Sequence, residues 1–300
     1  EDVRGEQAVC RRSVTGAGGR AGVGLATTRG VARAGAEGRG TARRPGTAED
    51  LWQGIDNIGI EALDLADPGS SEACARGLLD GGRHIDALIG SAGIMACPET
   101  RTAQGWEAQF AINHLGHFAL INQLWPLLRG GSRVVLVASA GHQLSGMRWN
   151  DVQFAKGYDK WLAYGQSKTA NVLCAKHLDQ LGKAEGIRGF SLHPGKIFTP
   201  LQRHLSQQEM MAAGWLDAEG RPADSSFKTP EQGAATQVWA AVSPQLDGMG
   251  GLYCEDCNIA TVDHGDTPSF AGVRPHALDQ DQAERLWALS ARLTGLGGPY

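Results

Sequence analysis

Four short apolar runs punctuate the chain: IEALDL (60–65), IDALIGSAG (85–93), SRVVLVAS (132–139) and IRGFSLHPG (187–195). Each is bounded by turn-forming residues and followed by a stretch of helical length. Their apolar character on both faces is that of strands buried on two sides, as in a parallel sheet covered by helices. Trp106, Phe110, Leu115, Phe118, Leu120 and Leu124 recur at helical spacing over roughly 103–128. Trp161, Leu162, Val172, Leu173 and Leu178 repeat the pattern over roughly 159–183, and both stripes read as core. A further unit opens the series, since SVTGAGGRAGVGLATTRGVARAG (13–35) reads as strand, glycine-rich turn and helix. The pattern predicts a doubly wound α/β fold in three layers, α/β/α, as a single domain over 1–300. Residues 200–230 break the rhythm with polar turns just past the carboxyl end of a strand, where open sheets bind ligands, and read as a lid.

Composition narrows the choice of function. The 300 residues are 42% hydrophobic and 20% charged, enough apolar material for a sizeable core. Forty-two glycines predict many tight turns or weakened elements. A formal net charge of -4 without an uncompensated basic block argues against nucleic acid and anionic membrane surfaces, leaving a small soluble partner. No segment approaches the roughly 20 apolar residues of a membrane span, and EDVRGEQAVCRRS at the start lacks the apolar stretch of a secretory signal, so a cytoplasmic protein is expected. Cysteines at 10, 74, 97, 174, 254 and 257 are scattered, as reduced thiols would be. Cys254 and Cys257 form a C-x-x-C with only His264 to supplement them, so no metal site is assigned.

The glycine turn lies at the first strand–helix junction. There the backbone amides of Gly16, Gly18, Gly22, Val23 and Gly24 suit a pyrophosphate at the positive end of a helix, the alternative being a plain tight turn. Arg20, inside that loop, faces either a phosphate or water. The second junction, TARRPG (41–46), presents Arg43 and Arg44 where an acidic residue would hold the ribose hydroxyls of NAD. Arginines suit a 2′-phosphate instead, so the reading leans to NADP, against the alternative of two solvated arginines. Asp64, at the end of the third strand, is a candidate to accept from the adenine amino group.

In AYGQSKTAN (163–171), Tyr164 and Lys168 stand one helical turn apart and can face one cleft. A nearby ammonium favours phenolate over phenol and makes tyrosine a better acid/base near neutrality. Ser139, ending RVVLVAS, can donate to a carbonyl oxygen as negative charge develops on it. His114, His117 and His142 lack a nucleophile or carboxylate at a telling spacing and read as structural.

With these residues in place, the chain resembles the short-chain dehydrogenase/reductase family, and within it looks most like the branch containing retinol dehydrogenases and related bacterial oxidoreductases. The carriers, over nearly the whole length, are the glycine loop at 15–24, DLAD (64–67), SAG (91–93), NHLGHF (113–118), VASAGH (137–142), YGQSK (164–168) and HPGKIFT (193–199). The resemblance implies a Rossmann fold with Tyr164 as proton donor or acceptor, Lys168 lowering its pKa and holding the nicotinamide ribose, Ser139 orienting the carbonyl, and Asn113 supporting a proton relay. It implies further cofactor contacts from Leu65, Ser91, Ala92 and Gly93, and from Pro194, Gly195, Ile197 and Thr199 at the nicotinamide end. The expected activity is NADP-dependent interconversion of a ketone or aldehyde and an alcohol on a mostly apolar small molecule. Trp149, Trp161, Phe198 and Trp215 are candidates for the pocket wall or for the core. Alternatives are a dinucleotide sensor without turnover and a carbon–carbon double-bond reductase. Related enzymes form dimers or tetramers through the helices at 103–128 and 159–183, so a homo-oligomer is expected.

Three departures from the family pattern fall in the cofactor half. The loop holds five residues between Gly16 and Gly22, two more than usual. AEGRGTARR (36–44) offers no β-branched residue before Thr41, which predicts a mobile or poorly formed second strand. The usual N-N-A-G is Gly90-Ser91-Ala92-Gly93, without the amides that brace the adenosine pocket.

Overall fold

The computed structural model describes residues 12–18, 21–47, 51, 57–265 and 270–297. In chain order the strands are β1 (Ser13–Ala17), β2 (Glu37–Ala42), β3 (Ile58–Ala62), β4 (Ala87–Gly90), β5 (Ser132–Val137), β6 (Ile187–His193), β7 (Lys196–Ile197), β8 (Phe227–Lys228), β9 (Leu252–Glu255) and β10 (Asn258–Ile259). Eight of them form one sheet in the order β10-β9-β6-β5-β4-β1-β2-β3. All its pairings are parallel except the β9–β10 hairpin. The order turns back between β1 and β4, and such a switch point opens a crevice at the carboxyl ends of the strands.

The sheet is buried on both sides. Along β5, Val134 and Leu136 enter one core with Leu88, Phe118, Leu124 and Trp125, whereas Val135 and Val137 enter another with Val14, Val31, Ile89 and Ala240. The two-residue period of a strand delivers alternate side chains to opposite faces. Helices α1 (Gly22–Arg33) and α6 (Pro230–Val242) cover the second face. Helices α2 (Pro68–Asp80), α3 (Gly116–Leu128), α4 (Lys160–Gly182) and α7 (Gln280–Thr294) contribute to the first. The short α5 (Gln207–Ala212) belongs to the 200–228 segment. No helix among the described residues is long and apolar enough to cross a membrane.

Several elements differ from the sequence pattern. β2 is a formed strand, paired with β1 on one side and β3 on the other. The hydrogen-bond ladder needs no side chains, and at Gly38 a Cβ would lie 3.2 Å from Ile58 Cγ1, so glycine relieves a tight contact. Arg39 and Glu61 add an ion pair across the ladder at 2.7 Å. β3 spans 58–62 instead of 60–65, so Asp64 and Leu65 lie beyond it. The helix expected from 103 begins only at Ala108, because the Glu107 carboxylate caps the N–H groups of Gln109 and Phe110 at 2.8 and 2.7 Å. It then continues through a π-helical turn, Ala111–Leu115, into α3.

Candidate functional site

The carboxyl ends of β1, β4, β5 and β6 converge on one cleft, and the glycine loop forms its first wall. Beyond β1, Gly18 has φ +106° and donates its N–H to Thr41 Oγ1 (3.2 Å). The Ala17 carbonyl accepts from the N–H groups of Ser91 (2.9 Å) and Ala92 (2.8 Å), so backbone bonds brace this edge where the family's asparagines are missing. A Cβ on Gly18 would lie 2.7 Å from Ala92 N, and one on Gly24 only 2.2 Å from the Gly18 carbonyl oxygen. These close approaches leave room only for glycine. Helix α1 starts at Gly22, Val23 and Gly24 without a side-chain cap from Ala21 and without an acidic residue in its first turn. Its leading end is therefore electropositive and open to an anion. Gly16 lines the same hollow, together with Ser91 and Gln237. Arg20 lies outside the described residues.

Arg43 and Arg44 are both exposed just past β2. Asp64 is half-buried; its Oδ1 accepts from Ala66 N (3.0 Å) and its own N–H donates to Ser70 Oγ (2.9 Å). Leu65 is buried beneath α3, where a Cβ on Gly116 would meet its carbonyl oxygen at 2.5 Å. At the other end of the cleft, Pro194 and Gly195 follow β6, and Gly195 (φ +99°) lies under the Lys228 side chain. Ile197 is buried against Gly233. Thr199 faces the glycine loop, since a Cβ on Gly22 would lie 3.0 Å from Thr199 Cγ2.

Ser139, Tyr164, Lys168 and Asn113 come together at the centre. Ser139 caps the 3-10 turn Ala140–Leu144, its Oγ accepting from Gly141 N at 3.0 Å. That turn descends onto α4 because Gly141 and Gly165 carry no side chains: a Cβ on Gly141 would lie 2.6 Å from Tyr164 Cε1, and one on Gly165 would lie 2.9 Å from the Gly141 oxygen. Lys168 donates from Nζ to the Val137 carbonyl (2.9 Å) and stands 5.7 Å from the Tyr164 ring centroid. Asn113 sits in the π turn and clamps Ile94, accepting from its N–H (2.8 Å) and donating to its carbonyl (2.9 Å). Its amide also donates to Ser167 Oγ (2.9 Å), which donates to the Tyr164 carbonyl (2.7 Å). A Cβ on Gly93 would touch both Asn113 Oδ1 (2.9 Å) and Lys168 Nζ (3.6 Å), so the stretch just past β4, the π turn and α4 meet here.

The electrostatics of this centre depart from expectation. Burial pushes the Tyr164 phenol up to about 12, with a hydrogen bond to Ser139 pulling it back, and burial pushes Lys168 down to about 7. Lys168 was expected to lower the phenol. In this structure the loss of hydration governs both groups, since both are buried and the Lys168 Nζ is engaged by a backbone carbonyl.

An apolar wall stands on the far side of Tyr164. Met95, Ala96, Tyr164 and Leu205 form one buried cluster, against which Trp161, Leu201, Met210 and Trp215 pack. Trp161 and Trp215 meet edge to face at 6.1 Å, and Lys160 at the start of α4 pairs with Glu209 of α5. Trp149 is elsewhere, in the Phe110–Leu173–Leu286 core with Arg285 stacked 4.2 Å over its ring. Phe198 stacks on Phe227 (4.4 Å) at the base of the 200–228 segment, where β7 and β8 pair.

Sequence reasoning missed the network that holds this wall. Gln109 accepts from Ala96 N (2.8 Å) and donates to Tyr158 Oη (3.0 Å) and the Lys160 carbonyl (2.8 Å), while Tyr158 donates to the Cys97 carbonyl (3.0 Å). No spacing in the chain signals it, because its members come from three separate segments. The three histidines are indeed buried and neutral: His114 bonds Ser290 Oγ (2.7 Å) and His117 bonds the Asn113 carbonyl (3.0 Å). Burial holds His114 down to about 3 and His117 and His142 down to about 4. His142 also positions the site: its Nδ1 donates to the Ser139 carbonyl (2.7 Å) and its Nε2 accepts from Arg274 N (3.1 Å). Cys257, with Asp256, forms the turn of the β9–β10 hairpin at positive φ, and Cys254 is buried in the sheet.

The short-chain dehydrogenase family model matches residues 13–210. The chain is 44% identical over 288 residues to a Streptomyces antibioticus protein named "Probable oxidoreductase", covering 92% of this chain and 95% of that one. It is 35% identical over 245 residues to retinol dehydrogenase 11 of Homo sapiens, covering 81% and 71% respectively. A solved protein of Mycobacterium paratuberculosis, described as uncharacterised, superposes with a TM-score of 0.74 at 30% identity over 97% of this chain and 96% of that one. The NADP active-site complex of Pseudomonas aeruginosa RhlG shares the fold, with a TM-score of 0.61 at 24% identity over 81% and 94%. The chain belongs to the short-chain dehydrogenase family, and it is an oxidoreductase on a Rossmann-type sheet.

Proposed function

We propose that this protein is an NADP(H)-dependent oxidoreductase that interconverts a ketone or aldehyde with the corresponding alcohol on a mostly apolar small molecule. The observation that carries the reading is the meeting of Ser139, Tyr164, Lys168 and Asn113 on one cleft between an open helix N-terminus and an apolar wall. The residues present fit a dinucleotide. The uncapped first turn of α1 and the bare backbone of Gly16, Gly18, Gly22 and Gly24 would hold the pyrophosphate, and Arg43 and Arg44 would face a 2′-phosphate. Asp64, Leu65 and the Ser91–Gly93 stretch would border the adenosine, with Pro194, Gly195, Ile197 and Thr199 beside the nicotinamide. When bound, the dinucleotide supplies or takes the hydride.

The chain's own residues handle the oxygen and the proton. Ser139 donates a hydrogen bond to the carbonyl oxygen as charge develops there. Tyr164, whose phenol burial keeps protonated at neutral pH, delivers its proton to that oxygen in the reducing direction and takes it back in the oxidising one. Lys168 lies near enough to stabilise the phenolate, and Asn113 fixes the Ile94 backbone and the α4 turn beneath Tyr164. The 200–228 segment acts as a lid, its Leu205, Met210 and Trp215 excluding water from the reacting carbon. The same reading takes the protein as a cytoplasmic homo-oligomer without a metal.

The test is a fluorescence titration with NADPH and NADH, followed by a panel of ketones and aldehydes. Tighter NADPH binding is expected, with turnover that Tyr164→Phe abolishes while cofactor affinity stays unchanged. Equal turnover by wild type and Tyr164→Phe would refute the assignment.

A further inference from the structure

Arg203 lies on the 3-10 turn Pro200–His204, which Thr199 caps through its Oγ1 (3.2 Å from Leu201 N) and the reciprocal Gln202 bond (2.9 Å to Thr199 N). Thr199 in turn abuts Gly22 of the glycine loop. Arg43 lies on the opposite rim of that loop, two residues beyond Thr41, whose hydroxyl receives the Gly18 N–H. Two exposed guanidiniums thus flank one anion-binding loop, one from the sheet and one from the lid segment.

Their surroundings single them out. Among the described residues of the lid and its base, Lys196 pairs with Asp224, Arg221 with Asp217 and Glu219, and Lys228 with Asp256. Arg203 has no such carboxylate among the described residues; its Nη1 donates to the Pro200 carbonyl (3.0 Å), which holds the head close to its own turn. The two arginines sense each other: after its partial burial, the positive charge of Arg43 is the next influence lowering the Arg203 guanidinium. Among the described residues no carboxylate pairs with either guanidinium; like charges that repel in this way are relieved by a shared anion, and a phosphate is the anion that paired guanidiniums bind best.

We propose that Arg203 joins Arg43 in binding the 2′-phosphate of the dinucleotide, so that this phosphate links the sheet to the lid. The inference rests on the NADP reading above. It makes Arg203 a cofactor-specificity residue on a segment whose other contacts face the substrate, and it couples occupancy of the adenosine end to ordering of the apolar wall.

The experiment measures NADPH and NADH dissociation constants by fluorescence for wild type, Arg203→Ala, Arg203→Lys, Arg43→Ala and the double variant, with displacement by adenosine 2′,5′-bisphosphate as a probe of the phosphate alone. Each alanine variant is expected to weaken NADPH and the bisphosphate by roughly tenfold while leaving NADH within about twofold, with Arg203→Lys intermediate. The double variant is expected to lose less than the product of the singles, because both residues meet one phosphate. If Arg43→Ala weakens NADPH and Arg203→Ala does not, or if Arg203→Ala weakens NADPH and NADH alike, the inference is overturned while the NADP reading stands. If wild type does not distinguish the two cofactors and Arg43→Ala changes neither, both fail together.

Discussion

Acidification should unfold this protein through its interior histidines. His114, His117 and His142 are buried and neutral in the fold, held at about 3, about 4 and about 4, against 6.5 for the free side chain. A base whose folded pKa is depressed leaves the unfolded chain holding more protons, so stability falls as the pH drops from 6.5 toward those values. At about pH 5.5 each histidine costs about 1.4 kcal/mol relative to about pH 8, roughly 4 kcal/mol for the three. Lys168, lowered to about 7, acts in the same direction higher up, losing about 1 kcal/mol between about pH 8 and its folded value. Glu107 and Glu255, raised by burial, carry the opposite sign and offset part of the loss. The sum is comparable to the lower end of the roughly 5–15 kcal/mol that holds a domain together. Urea unfolding at about pH 8, 6.5 and 5.5 is expected to show a midpoint that falls at each step with an unchanged slope on denaturant. His114→Gln, which keeps a partner for Ser290, should remove about a quarter to a third of that dependence. A midpoint that holds steady down to about pH 5.5 would refute the reasoning, since it would mean that these rings are hydrated or already charged in the fold.

Further outcomes follow from the same contacts. Gly24→Ala places a Cβ 2.2 Å from the Gly18 oxygen and should displace the loop, weakening NADPH by more than about tenfold while circular dichroism reports a retained sheet. Ser139→Ala should lower kcat by roughly a hundredfold without changing cofactor affinity, as removal of one donor to a developing oxyanion does; loss of affinity instead would place Ser139 in the cofactor pocket alone. Glu209→Gln unties α5 from Lys160 and should raise KM several-fold for bulky apolar substrates more than for small ones, measured as paired initial-rate curves. Trp215→Ala should act in the same direction and more strongly, because it removes the indole packed on Trp161.

The layered fold was legible because buried parallel strands and amphipathic helices leave periodic marks: Val134 to Val137 alternate into two cores just as their apolar run implies. Ser139, Tyr164 and Lys168 were legible for a related reason, since a helix turn and a strand end place local residues predictably. β2 was misjudged because its stability lies in hydrogen bonds to β1 and β3, and a backbone ladder leaves no trace in side-chain composition. The start of the helix at Ala108 was misjudged because the Glu107 cap competes with the apolar stripe that begins at Trp106.

By itself, then, the chain determined its layered α/β class, its glycine loop and the residue types placed at the cleft, because these follow from short-range period and spacing, whereas the strand order emerged only in the folded sheet. Tertiary structure alone decided what surrounds them. Burial sets Tyr164 above and Lys168 below their ordinary values, contrary to what their spacing implies. The Gln109–Tyr158 network and the packing of Leu205, Met210 and Trp215 against Tyr164 join segments far apart in the chain. Desolvation and long-range contact depend on what the rest of the molecule brings to a point in space, and no local pattern of residues encodes that.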